Sequence, residues 1–322
     1  MNAYLKWYYG YKNFGDEMLF FGVVQRIFQN YPIEKLYVEV WNAKRFNERL
    51  QNNSKLWALP TGRQVMSYEL KKKIKIIENK QYRIKFLAQI LSILWVNKYS
   101  KLFKFFGGGE VLDDSREFPH DWRNMPLLFR RNIKNWEFIL LWWISNVNKI
   151  RTKWLYKYLL PKARKIVTRD QFSYQIANQF RDWKIELYQD FATEIIKKFQ
   201  NTKWQKFTSD KYILINLNIE SLIPLNIFKI KEFCKKYPNH QKIFFPSDMN
   251  DDYFCYYRLR KIIPDLQIYD WTKYNLSQIL SLFYNTDAGI WARLHFLLPL
   301  KIYWKNFQAI HYADKIRKVI WN

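Results

Sequence analysis

The opening segment constrains this chain most. Leu5 to Tyr9 is an aromatic and aliphatic run that predicts a first strand. Gly10, Asn13 and Gly15 make a tight turn, and Asp16-Glu17 open a helix predicted to run to about Gln29. A strand, a glycine turn and a helix in that order begin an α/β layer of the kind that binds nucleotides or sugars. The spacing is not the dinucleotide fingerprint. Acidic residues at the helix start would also repel a pyrophosphate.

The same alternation continues along the chain. Strands are predicted at Ile33–Val40, Leu102–Phe106, Phe138–Leu141 and Lys165–Thr168, with helices at about 69–96, 150–160 and after Arg169-Asp170. Residues 42–68 read as a mixed, turn-rich region. Gly107-Gly108-Gly109 are expected at the C-terminal end of their strand, leading into a polar functional loop over 110–125 and a helix to about Asn132. Residues 197–211 are lysine-rich and polar, a linker by composition. Beyond it come strands at Tyr212–Leu217, Lys242–Phe245 and 288–291, and helices at about 224–237, 251–262 and 276–285, and Leu294–Leu298 begins another helix before Pro299. Repeated strand–helix order predicts parallel sheets in both halves. The expected division is a domain over 1–196, the linker, and a second domain over 212–322.

Bulk properties narrow the class. With 54 basic and 28 acidic residues the formal charge is +26, which favours anionic partners such as phosphorylated substrates, nucleic acid or an anionic membrane face. The lysines are spread along the chain, which fits a generally basic surface better than a nucleic-acid stripe. Two cysteines, Cys234 and Cys255, make neither a disulfide scaffold nor a thiolate metal site, so a reducing cytoplasm is the expected compartment. The four histidines are not clustered as metal ligands, and no signal peptide is visible. The strongest apolar runs, 86–96 and 136–147, are too short to span a bilayer, which leaves peripheral contact as the expected membrane role.

Residues at the C-terminal ends of parallel strands face the ligand crevice. That rule gathers the turn at 10–17, the loop from Gly107, Arg169-Asp170, Ser247-Asp248, Arg293 and His295 as candidates. Successive glycines let backbone N–H groups cradle phosphate or sugar oxygens, or simply make a tight turn. Arg293 is a fork-shaped donor for carboxylate or phosphate, or else one half of an interdomain salt bridge. His295 is a core histidine or an acid/base. Asp16 is a site residue or a helix cap, Asn13 a site residue or a turn former, and Lys315 a ligand or a surface lysine. From residue chemistry alone the reading is a two-domain enzyme with a cationic cleft for an anionic substrate.

Six short segments, in order, resemble the polysaccharide pyruvyl transferase family. They are Asn13-Phe14-Gly15-Asp16-Glu17, Gly107–Gly109 followed by Asp113, Arg169-Asp170-Gln171-Phe172-Ser173, Asp190-Phe191-Ala192, Arg293-Leu294-His295, and Tyr312 to Lys315. The resemblance implies a GT-B-like α/β fold, two Rossmann-like domains with parallel sheets facing a central cleft. It implies transfer of the pyruvyl group of phosphoenolpyruvate onto two hydroxyls of a sugar in a cell-surface polysaccharide or its precursor, giving a ketal and phosphate. His295, Arg293 and Asp16 would be catalytic. Asn13, Gly15, Gly107, Gly108, Gly109, Asp113, Arg169 and Lys315 would bind substrate. The expected partners are phosphoenolpyruvate, as co-substrate, and a saccharide acceptor, lipid-linked in one version. No metal, no other cofactor and no specific nucleic acid is expected, and the place of action is the cytoplasm or the inner membrane face. The alternatives are a GT-B glycosyltransferase using a nucleotide-sugar, a catalytically inactive relative, or, from charge and aromatics alone, a nucleic-acid-binding protein.

The chain departs from the family where Trp142-Trp143-Ile144-Ser145 replaces a glycine-rich strand exit and where Trp291 replaces a small residue. There are 8 glycines and 15 tryptophans, and the two together come close to the roughly 7% of glycine in an ordinary chain. Trp7, Trp142, Trp143 and Trp291 stand where a glycine would allow closer backbone approach. Either the chain is simply aromatic-rich, or the source organism reads as glycine a codon that another genetic code reads as tryptophan.

Overall fold

The computed structural model describes all residues except 10–11, 41, 55–67, 79–101, 113–137, 145–146, 201–207 and 311–322. For 7–9, 52–54, 68–70, 108–112, 138, 142–143 and 151 it describes the backbone alone. The chain forms two compact units. One comprises Met1–Tyr11, Leu19–Asn47 and Tyr68–Phe191; the other comprises Lys12–Met18, Glu48–Ser67 and Ala192–Asn322.

The first unit is built on a seven-stranded sheet of order β3-β2-β1-β4-β5-β6-β7. Its strands are β1 (Asn2–Tyr9), β2 (Lys35–Val40), β3 (Ile74–Glu78), β4 (Phe103–Leu112), β5 (Phe138–Ile144), β6 (Lys165–Thr168) and β7 (Ile185–Leu187). Every pairing is parallel. Strands covered on both faces need unbroken apolar runs, and Ile139-Leu140-Leu141 and Ile166-Val167 supply them, all buried. Helix α1 (Phe14–Asn30) follows β1 as expected.

Several expectations for the chain up to β5 are corrected. The mixed region after residue 42 contains a helix, α2 (Ala43–Ser54). The long basic helix from 69 is cut short: α3 (Tyr68–Lys73) ends where Ile74-Lys75-Ile76-Ile77 pairs along β2 from Leu36 to Glu39. A β-branched run beside an open strand wins over helical periodicity; residues 79–96 lie outside the described residues. Gly107-Gly108-Gly109 do not end β4 but lie within it, and the β4–β5 register shifts between Gly107 and Glu110. Glycine tolerates such a bulge because it has no Cβ to place. The predicted loop over 110–125 therefore begins as strand to Leu112, and 113–125 lie outside the described residues, as does the predicted helix to Asn132. Trp142-Trp143 continue β5 rather than leaving it.

The second unit holds a five-stranded parallel sheet of order β10-β9-β8-β11-β12. Its strands are β8 (Tyr212–Ile215), β9 (Gln241–Phe244), β10 (Leu266–Ile268), β11 (Ala288–Trp291) and β12 (Asn306–Ala309). Among the described residues the further helices are α4 (Ile150–Leu159), α5 (Gln171–Asn178), α6 (Phe191–Phe199), α7 (Pro224–Lys235), α8 (Asp252–Arg260), α9 (Leu276–Asn285) and α10 (Leu294–Ile302). The first three residues of the segment read as linker are the end of α6.

α10 begins at Leu294 as expected and runs through Pro299. An interior proline costs about 3 kcal/mol, yet Leu294, Phe296, Leu297, Leu298 and Leu300 are all buried, and their packing offsets that loss. Cys234 and Cys255 are free and buried in the core of this unit, and burial pushes their thiols up to about 11 and about 12. Among the described residues no helix is long and apolar enough to cross a membrane.

The two parallel-sheet α/β units expected from the sequence are thus present. One close approach in the first unit gives a test. A Cβ on Gly22 of α1 would lie 2.2 Å from the carbonyl oxygen of Phe191 and 2.7 Å from its carbon. Backbone cannot yield as a side chain can, so Gly22→Ala is expected to destabilise by roughly 1–3 kcal/mol, read as a lower denaturation midpoint. An unchanged midpoint would show that the contact is not tight.

Candidate functional site

In the second unit the strand order reverses between β8 and β11, and such a switch point is where open α/β sheets bind ligands. The residues following those two strands meet there. Asn216, just after β8, is fully buried; its Nδ2 donates to the Phe245 carbonyl at 2.9 Å and to Asp252 Oδ2 at 3.4 Å. Arg293, just after β11, is the N-cap residue of α10. Its Nη2 donates to Asp252 Oδ1 at 2.7 Å, and its Nε lies 3.2 and 3.1 Å from the two carboxylate oxygens.

Asp252 lies in the first turn of α8 and has no exposed surface, while the Arg293 side chain is 22% exposed. Asp252 also accepts from the Asp248 backbone N–H at 3.0 Å. Burial pushes its carboxyl up, and Arg293, Asp248 N–H and Asn216 pull it back toward the ionised form. The salt bridge weighed for Arg293 thus exists within one unit, and it fixes the guanidinium by a two-point contact.

The start of α1 belongs to the same unit. Asn13 makes an antiparallel bridge with Asp248, and its Nδ2 reaches Asp248 Oδ2 at 3.4 Å. Phe14 N donates to Ser247 O at 2.8 Å and Met249 N to Lys12 O at 3.1 Å. Asn13 Oδ1 accepts from Asp16 N at 3.3 Å, so Asn13, rather than Asp16, caps the helix. Phe14 is buried against Phe245, Trp271 and Phe283. Gly15 packs on the His295 ring: a Cβ there would lie 2.3 Å from Nδ1. Glycine is therefore required at 15 for the histidine to stand where it does.

Asn13, Gly15, Arg293 and His295 are accordingly brought together, with half-buried Asp16 in the same helical turn. Arg169 and Gly107–Gly109 belong to the first unit, and Asp113 and Lys315 lie outside the described residues. Arg169 is engaged in its own unit, with Nη1 3.3 Å from Asp190 Oδ2 and Nε 3.5 Å from Asp170 Oδ2. Asp170 caps α5 through Ser173 N at 2.7 Å, and Ser173 Oγ accepts from Ile144 N at 3.1 Å. The Arg-Asp-x-x-Ser segment thereby ties β6 to β5 and to the Asp190 segment.

Sequence reasoning passed over Asp252 and the Glu17–Arg49 pair. Asp252 follows Asp251 at a helix start, where acidic residues ordinarily serve the helix dipole. Glu17 accepts from Arg49 Nε at 3.1 Å and Nη2 at 2.8 Å, and Arg49 also donates to the Thr272 and Tyr274 carbonyls. Arg49 stands in a region read as turns, which hid it. Among the described residues no three His, Cys, Asp or Glu side chains gather as a metal site.

No family model matches the chain, and no curated protein matches it. Solved structures resemble it in part. UDP-GlcNAc 2-epimerase from Neisseria meningitidis, bound to UDP-GlcNAc, matches at 8% identity and TM-score 0.45, over 90% of this chain and 76% of its own. The E. coli heptosyltransferase WaaC with ADP matches at 10% identity and TM-score 0.38, over 96% and 86%. The accessory secretory protein 1,2 and 3 structure of Streptococcus pneumoniae matches at 13% identity and TM-score 0.37, over 73% of this chain and 47% of that one. Scores this low assign no activity to the chain.

The site makes two predictions. Asp252→Ala leaves the Arg293 guanidinium without its two-point partner and is expected to cost about 3 kcal/mol at neutral pH, read from denaturant unfolding. Asp248 is pushed up by burial, against the Asn250 N–H and Arg293, which lower it. A carboxyl raised in the folded state disfavours folding once ionised, so its penalty appears as pH rises from the ordinary carboxylate range through the raised value. Stability of the parent relative to Asp248→Asn should therefore fall across that window. A relative stability that rises with pH instead would show that Asp248 is held ionised.

Proposed function

We propose that this protein is a transferase that modifies a saccharide using a phosphorylated donor, and that the donor is phosphoenolpyruvate. The observation that carries the reading is the meeting of Gly15 with His295. Two of the six segments that carry the family resemblance, distant in sequence, come into contact at the ligand-binding end of one sheet. Arg293 stands in the same place, held by Asp252.

The chemistry follows from those side chains. Arg293 neutralises the phosphate or carboxylate of the donor, and the Asp252 contact holds that charge in one orientation before substrate arrives. His295 gives a proton to the methylene carbon of the enol phosphate. The oxocarbenium-like carbon formed next takes one sugar hydroxyl, which loses its proton. The carbon–oxygen bond to phosphate then breaks, phosphate leaves, and the second hydroxyl closes the ketal as it gives up its proton, which returns the imidazole of His295 to its charged form. Asp16, in the helical turn that packs on His295, orients an acceptor hydroxyl. The scheme uses no metal. The acceptor is a saccharide, carried on a lipid where the basic surface meets an anionic inner membrane face.

A nucleotide-sugar glycosyltransferase is the second reading, favoured by the sheet reversal between β8 and β11, which suits a nucleotide equally well. Titration calorimetry separates the two. Phosphoenolpyruvate is expected to bind saturably, and Arg293→Ala to weaken it about 10–100-fold, the loss of a charge-assisted contact. His295→Ala should keep binding and lose roughly 10²–10⁴-fold in phosphate release with an acceptor glycan. Binding of ADP or UDP with no phosphoenolpyruvate binding by the folded protein would overturn pyruvyl transfer in favour of glycosyl transfer.

A further inference from the structure

Two tryptophans occupy positions whose geometry calls for glycine. Trp304 has φ 58°, in the left-handed region. It follows α10 and its cap residue Tyr303, and its N–H donates to Lys301 O at 3.3 Å while Lys305 N–H donates to Leu300 O at 3.0 Å. Those two bonds are the Schellman arrangement, and the left-handed residue inside it is usually glycine because a Cβ there meets the backbone. The indole gains little in return, being 89% exposed. A positive φ alone would not single Trp304 out, since Lys12 and Lys184 share it at 68° and 53°. The helix-ending bonds do.

Trp291 presents the opposite difficulty. It closes β11, fully buried, and among the described residues its indole N–H has no hydrogen-bond partner. A buried donor left unsatisfied is a standing loss. Its ring carbon Cζ3 lies 2.4 Å from where a Cβ on Gly289 would be, so the indole fills the space above a glycine four residues before Arg293.

Trp271 shows what a fitting tryptophan looks like in this fold. It is equally buried, but its Nε1 donates to Pro246 O at 2.6 Å, and its ring packs against Phe14 and under Arg49. The chain therefore holds tryptophans of two kinds, beside a glycine count of only 8 in 322 residues.

We propose that the polypeptide made by the source organism carries glycine at positions 291 and 304 and tryptophan at 271, because that organism reads as glycine one codon that another genetic code reads as tryptophan. Glycine at 304 completes the helix end without a Cβ. Glycine at 291 removes the unsatisfied indole and opens the strand end beside Arg293. Neither point depends on the reaction proposed above.

Peptide sequencing by mass spectrometry of protein purified from the natural source tests it directly. Trypsin releases residues 262–273, 274–293 and 302–305. The first is expected to hold tryptophan, and the other two to be lighter by the difference between tryptophan and glycine. Tryptophan at 291 or at 304 overturns the proposal. A second test uses recombinant protein with tryptophan at all three positions: Trp304→Gly should raise the thermal midpoint, whereas Trp271→Gly should lower it. A midpoint lowered by Trp304→Gly would remove the conformational basis of the inference.

Discussion

Asp252 has no exposed surface, and a carboxylate in that position persists only when its lone pairs are met and its charge is opposed. The opposing charge comes from Arg293, the remaining contacts come from the Asp248 N–H and Asn216, and each partner sits at the end of a different strand or in the loop beyond it. The pair thus makes the ends of β8, β9 and β11 mutually dependent. Asn13 then joins α1 to the same cluster through Asp248. Placing His295 against Gly15 follows from those two anchors: the helix start is held on one side, and Arg293 fixes where α10 begins on the other.

Much of this fold is legible in the chain because alternating strands and amphipathic helices obey local rules. Lys165–Thr168, Leu276–Asn285 and Ala288–Trp291 are found at the predicted bounds. Where the reading fails, a distant partner decides. Ile74–Glu78 looks like helix until β2 offers it an edge. The short edge strands β10 and β12 have three and four residues, too few for periodicity to declare them.

The candidate site divides in the same way. Arg293 and His295 are visible because a forked cation and an imidazole at a strand end have few structural uses. Their company is not visible: Asp252 is 41 residues from Arg293, and Glu17 is 32 from Arg49. Arg169, expected as a ligand group by resemblance, contacts Asp190 and Asp170 among the described residues, and Ser173 of the same segment ties it to β5, none of which the spacing of the segment reveals.

The two cysteines carry a consequence for experiment. Both lie in the core of the second unit, both are shielded from solvent, and the remainder of the chain contains no other thiol. A thiol reagent can reach them only when that core opens, and burial leaves little thiolate to react while it stays closed. The rate of their modification is a built-in clock for one unit alone. Set against a whole-chain signal such as circular dichroism, it tells whether the two sheets come apart together or in turn.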